Sequence, residues 1–246
     1  MNSYETTSEI ADLTVKGGNM CKNWPDFPLS VTGAFGGFIG DSVIICGGRS
    51  APPGTKAFDE CYSLTSEKIT FITHMSVKRE AAASIVLNGT TLWITGGTDY
   101  EWDVSTGSYI GSGYLSSTEY VTISKTMPGP DMPMPLHYHA MVAINNTCSM
   151  VIGGGHGFPD GGTFAYTFYY DHNEGEWIIG PSLMQARNAH KAGIVTDEVT
   201  NEPFVVVTGG WVFGPFNGDN HLDSTEILQD GNWIQGKIRY HKQGTT

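Results

Sequence analysis

Short apolar runs, each stopped by glycine, recur along the chain. Four of them close on a glycine pair: Val43-Ile44-Ile45-Cys46-Gly47-Gly48, Leu92-Trp93-Ile94-Thr95-Gly96-Gly97, Met150-Val151-Ile152-Gly153-Gly154 and Val205-Val206-Val207-Thr208-Gly209-Gly210. A second apolar run precedes each across a tight turn. Ala83-Ser84-Ile85-Val86-Leu87 leads into Asn88-Gly89, and Ala140-Met141-Val142-Ala143-Ile144 leads into Asn145-Asn146. Asn and Gly tolerate the positive φ that two-residue turns demand, so each pair of runs predicts a β-hairpin.

A loop of variable length follows each glycine pair and delivers a third strand. Two of these open alike, Ser117-Thr118-Glu119-Tyr120 and Ser224-Thr225-Glu226-Ile227, and Asp59-Glu60-Cys61-Tyr62 takes the place in the first module. A fourth strand is expected where Asp171-His172-Asn173-Glu174-Gly175-Glu176 delivers Trp177 and where Asp230-Gly231-Asn232 delivers Trp233. Four short strands in roughly 50 residues, repeated four times, predict β-propeller blades.

The glycine pairs, the Glu119-Tyr120 type of third strand and the two tryptophans resemble the kelch repeat family over about residues 30–235. The second module departs from that pattern, with Lys125-Thr126-Met127 where a tryptophan is expected. The resemblance implies an all-β fold, a kelch-type propeller of four recognisable blades. Residues 1–24 are expected to contribute outer strand, residues 25–236 the blades and residues 237–246 a tail. The ring either closes on four blades or is open and incomplete, in which case exposed strand edges favour self-association. Blade tryptophans and glycines have packing reasons to exist, so none of them points to chemistry.

Composition narrows the function. Glycine contributes 32 of 246 residues and charged residues only 15%, which favours turns over helices. Thirteen Lys and Arg against 25 Asp and Glu leave a net charge of −12, which disfavours nucleic acid and anionic membrane as partners. No apolar run approaches the roughly 18 residues of a membrane helix. No signal peptide is visible at the start of the sequence, and the compartment stays open between cytoplasmic and extracellular.

Candidate chemistry is sparse. Cys21, Cys46, Cys61 and Cys148 lack metal-ligand spacing, and neither metal nor other cofactor is expected. Cys46 ends a second strand and Cys61 begins a third, so the two form a disulfide if the register sets them opposite one another, and are otherwise buried thiols. Asn88-Gly89-Thr90 and Asn145-Asn146-Thr147 are turn sequences that double as N-glycosylation acceptors in a secreted protein. Asp99-Tyr100-Glu101-Trp102-Asp103 lacks the glycine and the terminal Glu of a calcium loop. With no catalytic motif in the chain, the expectation is that it is not an enzyme.

The variable loops, about residues 49–58, 98–116, 155–163 and 211–223, share one end of the blades. They carry Tyr100, Trp102, Tyr109, His156, Phe158, Trp211, Phe213, Phe216 and His221, set among Gly, Ser and Asn. Aromatics on long loops of a rigid scaffold suit an adaptable contact surface. The sequence therefore reads as a non-enzymatic interaction module that binds a protein or peptide through this face. An extracellular glycan-binding propeller and a fragment of a propeller enzyme are the alternatives.

Overall fold

The computed structural model describes residues 8–11, 21–50, 55–156, 162–197, 200–212 and 220–236. Every regular element among them is a β-strand. The chain divides into two compact units, residues 1–138 with 156–159 and residues 139–155 with 160–246.

The first unit opens on a two-stranded sheet, β1 (Ser8–Ala11) and β2 (Cys21–Trp24). Two four-stranded antiparallel sheets follow. The first module runs in order through β3 (Phe35–Ile39), β4 (Ser42–Cys46), β5 (Glu60–Leu64) and β6 (Ile69–His74). The second uses β7 (Ala83–Leu87) and β8 (Thr91–Thr95). It then diverts through a ribbon, β9 (Glu101–Asp103) and β10 (Ser108–Ile110), before closing on β11 (Thr118–Val121) and β12 (Thr126–Pro128).

The second unit repeats the plan. The third module pairs β13 (Ala140–Asn145) with β14 (Cys148–Ile152). After the short ribbon of β15 (Gly155–His156) and β16 (Gly162–Thr163) it adds β17 (Thr167–Asp171) and β18 (Glu176–Ile179). The fourth is β19 (Lys191–Thr196), β20 (Pro203–Thr208), β23 (Thr225–Gln229) and β24 (Asn232–Gln235). Its ribbon is β21 (Trp211–Val212) with β22 (Asn220–His221).

The glycine pairs are required by the backbone. Both glycines of every pair have positive φ, 59–66° at the first and 90–95° at the second. The first donates its N–H to the residue entering the third strand, as Gly96 does to Ser117 O at 3.1 Å. The second donates to the segment that leads into the next module, as Gly97 does to Leu136 O at 2.8 Å. A Cβ on Gly97 would stand 2.5 Å from Glu80 O, so any side chain there would push the lead-in off the sheet.

Two lead-ins carry a buried arginine. Arg79 is fully buried and donates to Gly96 O, Ser117 O and Glu119 Oε1, at 2.8, 3.0 and 2.6 Å. Glu119 accepts in turn from the N–H groups of Ser76 and Val77. Arg187 makes the same set in the fourth module, with Gly209 O, Ser224 O and Glu226, and Glu226 accepts from the N–H groups of Met184 and Gln185. Each clasp joins lead-in, glycine pair and third strand. Burial lowers the pKa of the Arg79 guanidinium against the opposing pull of Glu119.

The tryptophans take unequal roles. Trp233 is buried in the second unit's core with Met150, Ile152, Leu183 and Val207, and its indole N–H donates to Pro181 O at 2.9 Å. Trp177, expected to be equally structural, is only half-buried and lies against Tyr170. In the second module Trp93, on the second strand, is fully buried and stacks on Tyr120. The fourth strand that lacks a tryptophan nevertheless forms, as β12.

β1 and β2 repeat the third and fourth strands of a module. Ser8-Glu9-Ile10 matches Thr225-Glu226-Ile227, and Glu9 lies opposite Asn23 as Glu226 lies opposite Gln235. Trp24-Pro25-Asp26-Phe27 then matches Gly129-Pro130-Asp131-Met132. The N-terminal segment thus supplies two strands, paired with each other.

Candidate functional site

A cavity of about 450 Å³ opens in the first unit between its variable loops. Arg49, Glu80, Thr98, Tyr100, Tyr109, Tyr114, His137 and Tyr138 line it. The repeat itself places the floor. Arg49 and Thr98 each follow a glycine pair, and Glu80 and His137 each follow the clasp position of a lead-in. Glu80 and Thr98 exchange two backbone hydrogen bonds, at 2.9 and 3.0 Å, so floor and sheet move as one.

The wall is the β9–β10 ribbon. Asp99 fixes its return by accepting from the N–H groups of Ser112 and Gly113 at 2.9 and 2.6 Å. Trp102 N–H donates to Thr55 O and Oγ1, which ties the ribbon to the loop of the first module. Lys78 anchors the ribbon again through Glu101 at 2.9 Å. Along this wall Tyr109 packs edge-on against Trp102 at 5.0 Å and lies 5.9 Å from Tyr100. Tyr100 meets Tyr114 at 5.4 Å, and Tyr114 meets His137 at 4.8 Å.

Charge is concentrated at one point. Arg49 Nη1 donates to Glu80 Oε1 at 3.1 Å. The other oxygen, Oε2, is buried and has no hydrogen-bond partner among the described residues, and Arg49 Nε is in the same position. Burial pushes the Glu80 carboxyl up, and Arg49 pulls it partly back. A buried acceptor left without a donor costs about 1–3 kcal/mol.

The expected contact residues divide. Tyr100 and Tyr109 line the cavity, and Trp102 supports it from the ribbon. Trp211 and His221 face each other across β21 and β22 in the second unit, Trp211 half-buried and His221 exposed. His156 falls on β15, while Phe158, Phe213 and Phe216 lie outside the described residues. Arg49, Glu80, His137 and Tyr138 were missed: Glu80, His137 and Tyr138 sit in the lead-ins beside the repeat signature, and Arg49, at the start of the first loop, carries no aromatic ring. Aligning the lead-ins points to them: the residue after the clasp position is polar in all four, Thr32, Glu80, His137 and Asn188.

Cys46 and Cys61 lie opposite one another on β4 and β5 and form a disulfide, with Cα atoms 4.1 Å apart. Cys148 is free and half-buried, and burial raises its thiol pKa, which works against nucleophilic use. The acidic run of the ribbon does not converge: Asp99 binds loop amides, Glu101 binds Lys78 and Asp103 binds Ser105. Among the described residues no three His, Cys, Asp or Glu gather as a metal site. No protein-family model and no curated protein sequence matches the chain.

Proposed function

We propose that the chain is a kelch-type β-propeller acting as a non-enzymatic interaction module. Its partner is a protein or peptide, taken at the loop pocket of the first unit by a basic side chain. The four sheets of one strand order, each with its positive-φ glycine pair, support the propeller reading. The observation that carries the binding reading is Glu80 Oε2, a buried acceptor without a donor at the foot of a pocket walled by tyrosines. A lysine or arginine head supplies that donor and meets the tyrosine faces, which attract cations by roughly 0.5–2 kcal/mol each. The chain's charge of −12 draws a basic segment toward the surface. A neutral glycan would use the same tyrosines and donate hydroxyls to the carboxylate, but it brings no positive charge for the acidic chain to attract.

A displayed random-peptide library selected on the whole chain tests this. Enriched peptides are expected to share a Lys or Arg and to bind more weakly as salt rises. Tyr109→Ala and Glu80→Gln are each expected to weaken them by about 1–3 kcal/mol. Enrichment of acidic or uncharged peptides, or equal binding by both variants, overturns the proposal.

A further inference from the structure

The geometry points to a second use of two hairpin turns. We infer that Asn88 and Asn145 are N-glycan attachment sites and that the chain matures in the oxidising lumen of a secretory pathway.

The buried disulfide sets the compartment. Cys46 and Cys61 are both fully buried, in a core cluster with Phe35, Ile44, Leu92 and Ile94. The same cross-strand position holds Thr95 and Thr118, Ile152 and Thr167, and Thr208 and Thr225 in the other modules. Thr208 and Thr225 there share a hydrogen bond of 3.0 Å. At this position the repeat is thus built without cysteine in three of its four copies, and the first carries a directly opposed pair. Oxidising the pair removes two electrons and two protons, which pass to a disulfide-exchange partner of the kind found in secretory compartments and scarce in the cytosol.

The acceptors are presented in the form transfer needs. Asn88, Gly89 and Thr90 are all exposed at the tip joining β7 and β8, and a Cβ on Gly89 would meet nothing within 4 Å. Asn145, Asn146 and Thr147 are all exposed at the tip joining β13 and β14. There Asn145 Oδ1 accepts from Thr147 N–H at 2.8 Å and from Thr147 Oγ1 at 2.9 Å. The third residue of the acceptor tripeptide therefore already holds the side chain by its oxygen and leaves the amide nitrogen for attack. In the transfer, Nδ2 bonds to C1 of a lipid-diphosphate-linked oligosaccharide. The C1–O bond to the diphosphate breaks, the lipid diphosphate leaves, and Nδ2 gives up one proton. Turn geometry favours Asn at both places, by a φ of +50° at Asn88 and by the bond from Thr147 N–H to Oδ1 at Asn145. In the second module the turn sits at the end of β8 opposite the ribbon, so a glycan on Asn88 leaves the loop pocket open.

Peptide mapping of the protein taken from its natural source tests both halves. After glycan removal by an amidase in heavy-oxygen water, labelled Asp is expected at positions 88 and 145. Without reductant, the Cys46 peptide is expected to be linked to the Cys61 peptide. Cys46 and Cys61 alkylated as free thiols would overturn the compartment. A formed disulfide with unlabelled Asn at both turns would overturn the glycan sites. With the whole chain secreted from cultured animal cells, Asn88→Gln and Asn145→Gln are each expected to remove one glycan's step in mass. If neither variant shifts the mass, the glycan sites are again overturned.

Discussion

The first and third modules differ from the second and fourth at three positions that change together. The even modules bury Arg79 with Glu119 and Arg187 with Glu226. Each glutamate is held by a backbone N–H of the lead-in, from Ser76 in one and Met184 in the other. At the matching sequence positions the first module has Val31 and Tyr62, and the third has Leu136 and Phe168. At the place of the donor they have Pro28 and Pro133, which possess no N–H. The backbone plan survives the replacement of the ion pair by uncharged residues, and one of the glutamate's two N–H donors leaves with the acceptor. This difference shows what the plan requires of those positions: a satisfied filling, of either polarity.

Breaking one half of a clasp tests this most severely. Arg187→Leu leaves Glu226 buried without its cation and is expected to cost about 3–5 kcal/mol in urea unfolding followed by Trp233 fluorescence. The triple variant Met184→Pro, Arg187→Leu, Glu226→Phe moves the third module's solution into the fourth and is expected to recover most of that loss. A triple variant no more stable than the single one would show that the odd and even fillings are not interchangeable. Trp233→Ala removes a buried ring and its hydrogen bond to Pro181, an expected loss of about 3–5 kcal/mol. Trp177→Ala should lose about half as much, because its ring is half in solvent.

The disulfide is the first module's own departure. Replacing Cys46 and Cys61 together by Thr gives it the hydroxyl pair of the fourth module. The expected cost is about 3 kcal/mol, from the freed loop of sequence separation 15. Reduction of the unaltered chain should move its melting temperature in the same direction. An unchanged melting temperature would mean that the buried pair contributes packing alone.

A histidine couples to the clasp. His139 and His190 occupy matching positions, three residues beyond Leu136 and Arg187. Burial, then the Arg187 charge, lowers the pKa of His190 from 6.5 to about 4. Above pH 6.5 the imidazole is neutral in both folded and unfolded chains. Between 6.5 and about 4 only the unfolded chain takes up the proton, so stability falls as pH falls, by about 3 kcal/mol at the lower end. His190→Gln should flatten that part of the pH profile for the second unit.

Much of this was legible beforehand because it is periodic. The glycine pairs, the Asn turns and the recurring Thr-Glu strand openings placed four second strands, the first strands of two hairpins and three of the four third strands at the residues where they occur. What escaped is what the repeat does not repeat. Trp93 took the buried position in the module thought to lack a tryptophan, two strands inward from where it was sought. Arg79 and Arg187 have the same type and spacing as surface charges, and only the third-strand glutamate opposite marks them as buried. The pocket needed Glu80 and Arg49, which three-dimensional pairing brings together from lead-in and loop. The two-strand character of the N-terminal segment was readable from Ser8-Glu9-Ile10, once aligned to the fourth module.

The smallest effect separates the scaffold from the surface it carries. Tyr109 is 63% exposed on the β9–β10 ribbon, and its neighbours Trp102 and Tyr100 are held by their own backbone and ring contacts. Tyr109→Ala is therefore expected to change unfolding stability by no more than about 0.5 kcal/mol. Trp102→Ala is a sterner version, since its half-buried indole braces the ribbon, and it should cost more stability than Tyr109→Ala while leaving the clasps intact. If Tyr109→Ala proves as destabilising as Trp233→Ala, its ring is an internal pin of the ribbon. The pocket would then lose its best claim to be a place where another molecule's side chain can enter.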